Sequence, residues 1–301
     1  MRDRAPAGFR CAMKAVFGAV LAVAGAMVPG QTATAGTSAA AGKDIVFAPH
    51  RAVYDLTLDT VSAASGVTAV NVRIVYELSG SRCEGYAQSM RFVTQTLNQQ
   101  GDTQTTDLRT SSWEEVPAKR LRFSTSTFQN EVQAEQTQGE AKRSLASGPA
   151  TVALERPQER EAQLDGNIYF PIQHSMAIIQ AAREKRFIFA ARLFDGSETG
   201  DKVYATSTAI GRQIKDGQGT PIALTKGRDD LSDVPSWPIL VSYYAADAEK
   251  GDTVPLYEMS YRFHENGVTS SLRINHGDFA IRGELKELTY FEASPCKGRR
   301  P

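Results

Sequence analysis

Apolar and polar residues alternate along most of this chain, and the alternation has the period of a β-strand. Ala52, Tyr54, Leu56 and Leu58 interleave with Arg51, Asp55, Thr57 and Asp59, with only Val53 out of step. Val70, Val72, Ile74, Tyr76 and Leu78 interleave with Asn71, Arg73 and Glu77, and Tyr257, Met259, Tyr261 and Phe263 with Glu258, Ser260 and Arg262. Side chains of a strand point alternately to its two faces, so this pattern predicts strands with one face on a core and the other in water. Asn266-Gly267, leading to Val268, Leu272 and Ile274, is a short-hairpin signal. Further strands are expected over 86–97, 121–128, 187–194, 202–210, 239–244 and 279–290. So many strands joined by short turns, each buried on one side, require a sheet that curls on itself.

One segment has a different period. After Pro171, which suits a first helical turn, Ile172, Met176, Ile179 and Ala182 recur at helical spacing, and Ile178 and Ala181 widen the stripe. A helix with so wide an apolar face is buried on more than one side. The expected architecture is mainly β: a long antiparallel sheet curled into a spiral or open barrel around one central helix. The chain has no internal repeat, which disfavours a propeller.

The N-terminal residues read as an export signal. Arg2, Arg4, Arg10 and Lys14 are followed by an apolar run from Ala15 to Val28, a Pro29-Gly30 break, and the small residues Ala33-Thr34-Ala35. The run falls short of the ~20 residues a bilayer-spanning helix needs; the competing reading is an uncleaved anchor. The expected organisation is a signal peptide at 1–35, a flexible leader at 36–48, a single β domain at 49–297 and a tail at 298–301, with no membrane span after cleavage and a monomeric product. The signal carries four of the 34 basic residues and one of the 34 acidic residues, which leaves 30 against 33. A slightly acidic chain lacks the concentrated basic face of a nucleic-acid binder.

Cys11 precedes the apolar run and is not placed for lipid attachment. Cys83 and Cys296 remain, and an isolated pair in an oxidising compartment normally forms a disulfide. The alternatives are two free thiols or half of a metal site, but clustered Cys and His ligands at metal spacing are missing from the sequence.

The search for chemistry yields no catalytic constellation. His50, His174, His264 and His276 each stand alone in sequence, with a structural, hydrogen-bonded role expected for His174 and an exposed position at a turn for His264. There is no Gly-x-Ser-x-Gly elbow. Ser294-Pro295-Cys296-Lys297 fits Ser-x-x-Lys but lacks a helical setting, and Gly36 through Gly42-Lys43-Asp44 has the wrong length and the wrong last residue for a phosphate loop. No enzyme activity, metal or cofactor is therefore expected. Trp237-Pro238 and Tyr243-Tyr244 read as core aromatics or as the lining of a groove. If the concave face of the sheet binds an acyl chain or an extended peptide beside the helix, its candidate contacts are Ile178, Tyr257, Met259, Tyr261, Phe263 and Trp237.

Several segments, taken in order, carry a resemblance. They are His50-Arg51-Ala52-x-Tyr54-x-Leu56-x-Leu58, Tyr76-Glu77 with Cys83-x-Gly85-Tyr86, Phe170-Pro171-x-x-His174 and Leu193-Phe194-Asp195-Gly196-Ser197. Trp237-Pro238 with Tyr243-Tyr244, Gly277-Asp278-Phe279 and the closing Cys296 complete the set. Across about residues 49–296 the chain resembles the EipB family of alphaproteobacterial cell-envelope integrity proteins. The resemblance implies a periplasmic protein whose long antiparallel sheet winds as a spiral around a central helix, with Cys83 and Cys296 as its disulfide pair. It also implies a role in envelope integrity and resistance to envelope stress without enzymatic activity. The implied partner is an envelope protein or a hydrophobic or peptide ligand, and the alternative function is a carrier for a lipid, a lipoprotein or an extended peptide. Ile172 departs from the pattern, because a small hydroxyl residue that caps the helix is expected there; losing such a cap costs about 1 kcal/mol if nothing replaces it.

Overall fold

The computed structural model describes residues 44–294 and 296, apart from 64, 216–223, 225, 228–230 and 247–253. The expected signal peptide, most of the leader and the tail lie outside the described residues. The first eight strands are β1 (His50–Val61), β2 (Val67–Ser81), β3 (Gly85–Asn98), β4 (Thr103–Glu114), β5 (Arg120–Gln129), β6 (Val132–Lys142), β7 (Ala150–Arg156) and β8 (Arg160–Leu164). Each pairs with the next in antiparallel register. Then follow β9 (Ile168–Tyr169), helix α1 (Pro171–Arg183), β10 (Ile188–Leu193), β11 (Tyr204–Ile210) and β12 (Lys226–Gly227). The last four strands are β13 (Ser236–Ala245), β14 (Tyr257–His264), β15 (Thr269–Asn275) and β16 (Phe279–Tyr290).

All the strands belong to one sheet, in the order β8-β7-β6-β5-β4-β3-β2-β1-β16-β15-β14-β13-β11-β10-β9, with β12 added beside β16. β8 and β9 end this order on opposite sides, yet only residues 165–167 separate them in sequence. Four steps of extended chain reach at most about 14 Å, so the sheet has to curl until its two edges nearly meet. The result is a sheet nearly closed into a barrel, with the one helix of the described residues against its inner face, as the residue pattern predicts. Two short pairs, β9 with β10 and β12 with β16, are parallel and depart from the antiparallel expectation.

The alternating residues do what their period demands. Ala52, Leu56, Val72, Ile74 and Leu78 are buried, while Asp55, Asn71 and Arg73 are exposed or nearly so. Val53, the residue out of step, is also fully buried, and it sits at a register shift in the β1–β16 ladder. Gly267 turns the β14–β15 hairpin at φ +90°, which glycine adopts without steric cost.

The helix buries Ile172, Ile178, Ile179, Ala181 and Ala182 against Tyr86, Trp237, Ile239, Val241 and Phe263. Its N-terminus corrects the expectation of a missing cap. Phe170 at the N-cap has no side chain that can accept a hydrogen bond, but the carboxylate of Glu114, at the end of β4, accepts from the backbone N–H of Ile172 at 2.7 Å and of Gln173 at 2.9 Å. Gln173 closes the turn by accepting from the Phe170 N–H at 3.3 Å. The first turn has no acidic residue of its own, so the carboxyl group that accepts from its free N–H groups comes from 58 residues upstream.

At the other end Lys185 takes φ +56°, and the N–H groups of Lys185 and Arg186 bond back to the carbonyls of Ala182 and Ala181. This is a Schellman turn with lysine in the position that favours glycine. Lys185→Gly is expected to raise the unfolding free energy by about 0.5–1 kcal/mol, read as a higher urea midpoint; a lower midpoint would contradict it.

Candidate ligand-binding site

The candidate contacts divide into two groups. Ile178, Trp237 and Phe263 are 1 %, 3 % and 5 % exposed and pack with one another's neighbours around the helix. That part of the concave face is filled by α1. Tyr257, Met259 and Tyr261, further along β14, keep accessible surface, as does Tyr243 on the neighbouring β13. Cross-strand register explains the grouping: Tyr243 pairs with Tyr257, Val241 with Met259, Ile239 with Tyr261 and Trp237 with Phe263.

Tyr243 and Tyr257 stack at 4.3 Å between centroids, and Tyr204 meets both rings edge-on at 6.0 and 6.4 Å. Burial drives the hydroxyls of Tyr243, Tyr257 and Tyr261 far above their ordinary titration range. None of the three makes a hydrogen bond among the described residues, and none is sealed from solvent as a dry unsatisfied group. These rings lie on the helix-facing side of β13 and β14 and keep part of their surface accessible. Met90, Phe92, Met259 and Tyr261 pack against one hydrophobic cluster of the sheet, so the surroundings of Tyr261 are mainly apolar. Near Tyr243 and Tyr257, burial pushes the Asp195 carboxyl up, and Glu198 accepts from Tyr204 Oη at 2.5 Å and from Lys202 Nζ at 2.8 Å.

His50, His174 and His264 are committed elsewhere, while the His276 ring lies 6.4 Å from that of Tyr257. Thr206 donates its one hydroxyl proton to the Ala191 carbonyl at 3.1 Å, so His174 donates from Nε2 to Thr206 at 3.2 Å. This is the structural role expected of it. His264 is not exposed as expected: it is fully buried, 2.8 Å from Ser270 Oγ, because β15 folds back over it. His50 Nδ1 lies 2.7 Å from the Ala48 carbonyl. Among the described residues no group of three His, Cys, Asp or Glu side chains stands together to hold a metal ion, and no helix is long and apolar enough to cross a membrane.

Burial lowers the His174 pKa from 6.5 to about 4. The unfolded chain then takes up a proton below pH 6.5 that the folded chain refuses until about pH 4, so this contribution to stability is complete above pH 6.5 and is lost as the pH falls through that window. The loss amounts to about 3 kcal/mol. His174→Asn is expected to flatten the stability profile between pH 6.5 and 4; an unchanged acid slope would contradict it.

Cys83, in the β2–β3 turn, forms a disulfide with Cys296, with Cα atoms 5.5 Å apart. It anchors the segment that follows β16, whose first residue, Phe291, donates its N–H to the Pro49 carbonyl at 2.9 Å.

This fold has counterparts among known proteins. The chain matches the family model described as EipB-like over residues 41–292. It is 34% identical over 260 residues to the cell envelope integrity protein EipB of Brucella abortus (strain 2308), covering 86% of this chain and 90% of that protein. It also resembles the crystal structure of a β-barrel-like protein of a domain of unknown function from Brucella abortus, with a TM-score of 0.76 and 32% identity over 83% of this chain and 100% of that one. A match that spans nearly the whole described sheet, together with the shared fold, places the chain in the EipB-like family.

Proposed function

We propose that this chain is a periplasmic, non-catalytic protein that supports cell-envelope integrity by holding a ligand or partner segment on the open part of its concave face. The relative named for envelope integrity supports the cellular role, and the N-terminal signal pattern supports export. The observation that carries the molecular role is the set of buried but accessible phenols, Tyr243, Tyr257 and Tyr261, whose hydroxyls have no hydrogen-bond partner among the described residues. The non-catalytic reading rests on His50, His174 and His264, each bonded to a backbone carbonyl or a hydroxyl rather than to a carboxylate beside a nucleophile.

A carrier role for a lipid, a lipoprotein or an extended peptide is the second reading, favoured by Met259 beside the stacked tyrosines, since a flexible thioether adapts to irregular apolar ligands. Native mass spectrometry on the protein purified from its own periplasm separates the two. A stoichiometric hydrophobic adduct supports the carrier, and a clean mass with a co-purifying envelope protein supports the partner reading. A clean mass without any partner contradicts both.

A further inference from the structure

The opposite face of the sheet holds a groove of about 730 Å³ that runs across β2–β7. Its floor is a row of small side chains: Ser79 pairs with Ala87, Ser89 with Ser111, and Ser111 with Ser124. Gln138 and Glu140 of β6 border this row on either side of Gly139, whose own Cβ position faces the core against Phe123 and Leu154. Trp113 stands over this row, its indole N–H donating to the Glu84 carbonyl at 3.2 Å, and the Arg122 guanidinium lies 5.7 Å from the centroid of its ring.

Two of the three carboxylates in the groove are paired with cations. Glu140 accepts from Arg122 at 3.1 Å and also meets Arg120 and Lys142, and Glu77 is paired with Arg51 at 3.2 Å. Glu155 accepts from the Gln138 amide at 2.6 Å. Burial raises the Glu140 carboxyl, but Lys142 and Arg122 outweigh it and hold the group below its ordinary range. The lining itself holds three carboxylates and one cation, Arg122, with Arg51, Arg120 and Lys142 bound to Glu77 and Glu140 from outside it, so the groove has no excess positive charge to hold an anion.

The same geometry excludes two other ligand classes. The backbone of β2–β7 is consumed in continuous ladders, so a peptide finds no open edge on which to add a strand. A serine floor offers an acyl chain little apolar area to bury. What remains is hydroxyl and amide groups on a surface six strands wide, roughly 24 Å at the usual strand spacing, with the Trp113 indole and its covering Arg122 in the wall. We propose that this groove binds a neutral, hydroxyl-rich oligosaccharide. The site lies on the face opposite Tyr243, Tyr257 and Tyr261, so it stands or falls independently of the concave-face function.

The test is isothermal titration calorimetry of the full mature chain, with its disulfide formed, against two probes: tetra-N-acetylchitotetraose and maltotetraose. Saturable binding of either is expected. Binding of the N-acetylated sugar alone identifies an amino-sugar chain of the cell-wall type as the source, and binding of maltotetraose alone or of both identifies a neutral glucan. Ser111→Tyr fills the floor at an exposed strand position where tyrosine is well accommodated, and it should weaken binding at least about tenfold with an unchanged melting temperature. Ser89→Tyr, on the adjacent strand, serves if the first variant is poorly folded. No saturable heat from either sugar at millimolar concentration, or equal binding by a folded filled variant, overturns the proposal.

Discussion

Reduction of the Cys83–Cys296 bond should lower the unfolding free energy by roughly 5 kcal/mol, because the bond closes a loop with a sequence separation of 213 and loop-closure entropy grows with the logarithm of its length. Cys83→Ser and Cys296→Ser should each reproduce most of that loss, and the double variant should lose no more than either single one. The bond joins the β2–β3 turn to the segment after β16, so reduction also frees Phe291, which lines the outer groove. The folded chain should persist when reduced, because three hydrophobic clusters remain. An unchanged melting temperature under full reduction would remove the structural role assigned to the bond.

The second large effect is expected at Glu114. Glu114→Ala leaves the buried N–H groups of Ile172 and Gln173 without an acceptor, and two such losses cost about 3 kcal/mol together. It also removes the carboxyl group near Arg143, whose guanidinium is bonded to the Ala118 and Ile168 carbonyls and, at 2.8 Å, to Gln173 Oε1. Glu114→Gln keeps one acceptor and should cost less.

The pH dependence has a definite sign. Burial raises the Glu114 pKa to about 8, against the pull of the two N–H donors and of Arg143. The unfolded chain releases this proton near pH 4.5 while the folded chain retains it, so the contribution is present at low pH and is lost as the pH rises toward 8. Glu114→Gln should abolish that decline. A stability profile in Glu114→Gln that falls between pH 5 and 8 as steeply as in the parent would refute the assignment.

Much of this architecture can be read from single residues. β1, β2, β14 and β16 each pack one face on the core, and the period-two pattern of Ala52–Leu58, Val70–Leu78, Tyr257–Phe263 and the run ending at Tyr290 records that directly. The helix was legible from Pro171 and the Ile172–Ala182 spacing. β4 and β6 left no such mark. Along β4, Thr106, Leu108, Thr110 and Ser112 face one way and Asp107, Arg109, Ser111 and Trp113 the other, so neither face is uniformly apolar and the alternation vanishes. The outer groove was invisible because its serine floor, Ser79, Ser89, Ser111 and Ser124, takes one small residue from each of β2–β5 and leaves no run in the sequence.

Long-range contacts account for the remaining differences. The helix cap lies on β4 rather than at Ile172, where a local reading of helix signals looks for it. His264 precedes Asn266-Gly267 and looks like a turn residue, yet its backbone pairs with Ser236 and its ring reaches Ser270. Of the candidate ligand contacts, periodicity placed Tyr257, Met259 and Tyr261 on one face with Phe263. It carried no information on how far along that face the helix reaches, which is what separates the buried Phe263 and Trp237 from the open tyrosines.

The most direct test of the concave-face function is complementation of a strain lacking this gene, scored by survival in detergent and in cell-wall antibiotics. The parent gene should restore resistance, and a Tyr257→Ala, Tyr261→Ala variant that folds and accumulates normally should not. A deletion strain as resistant as its parent, or full rescue by the doubly substituted chain, would contradict it.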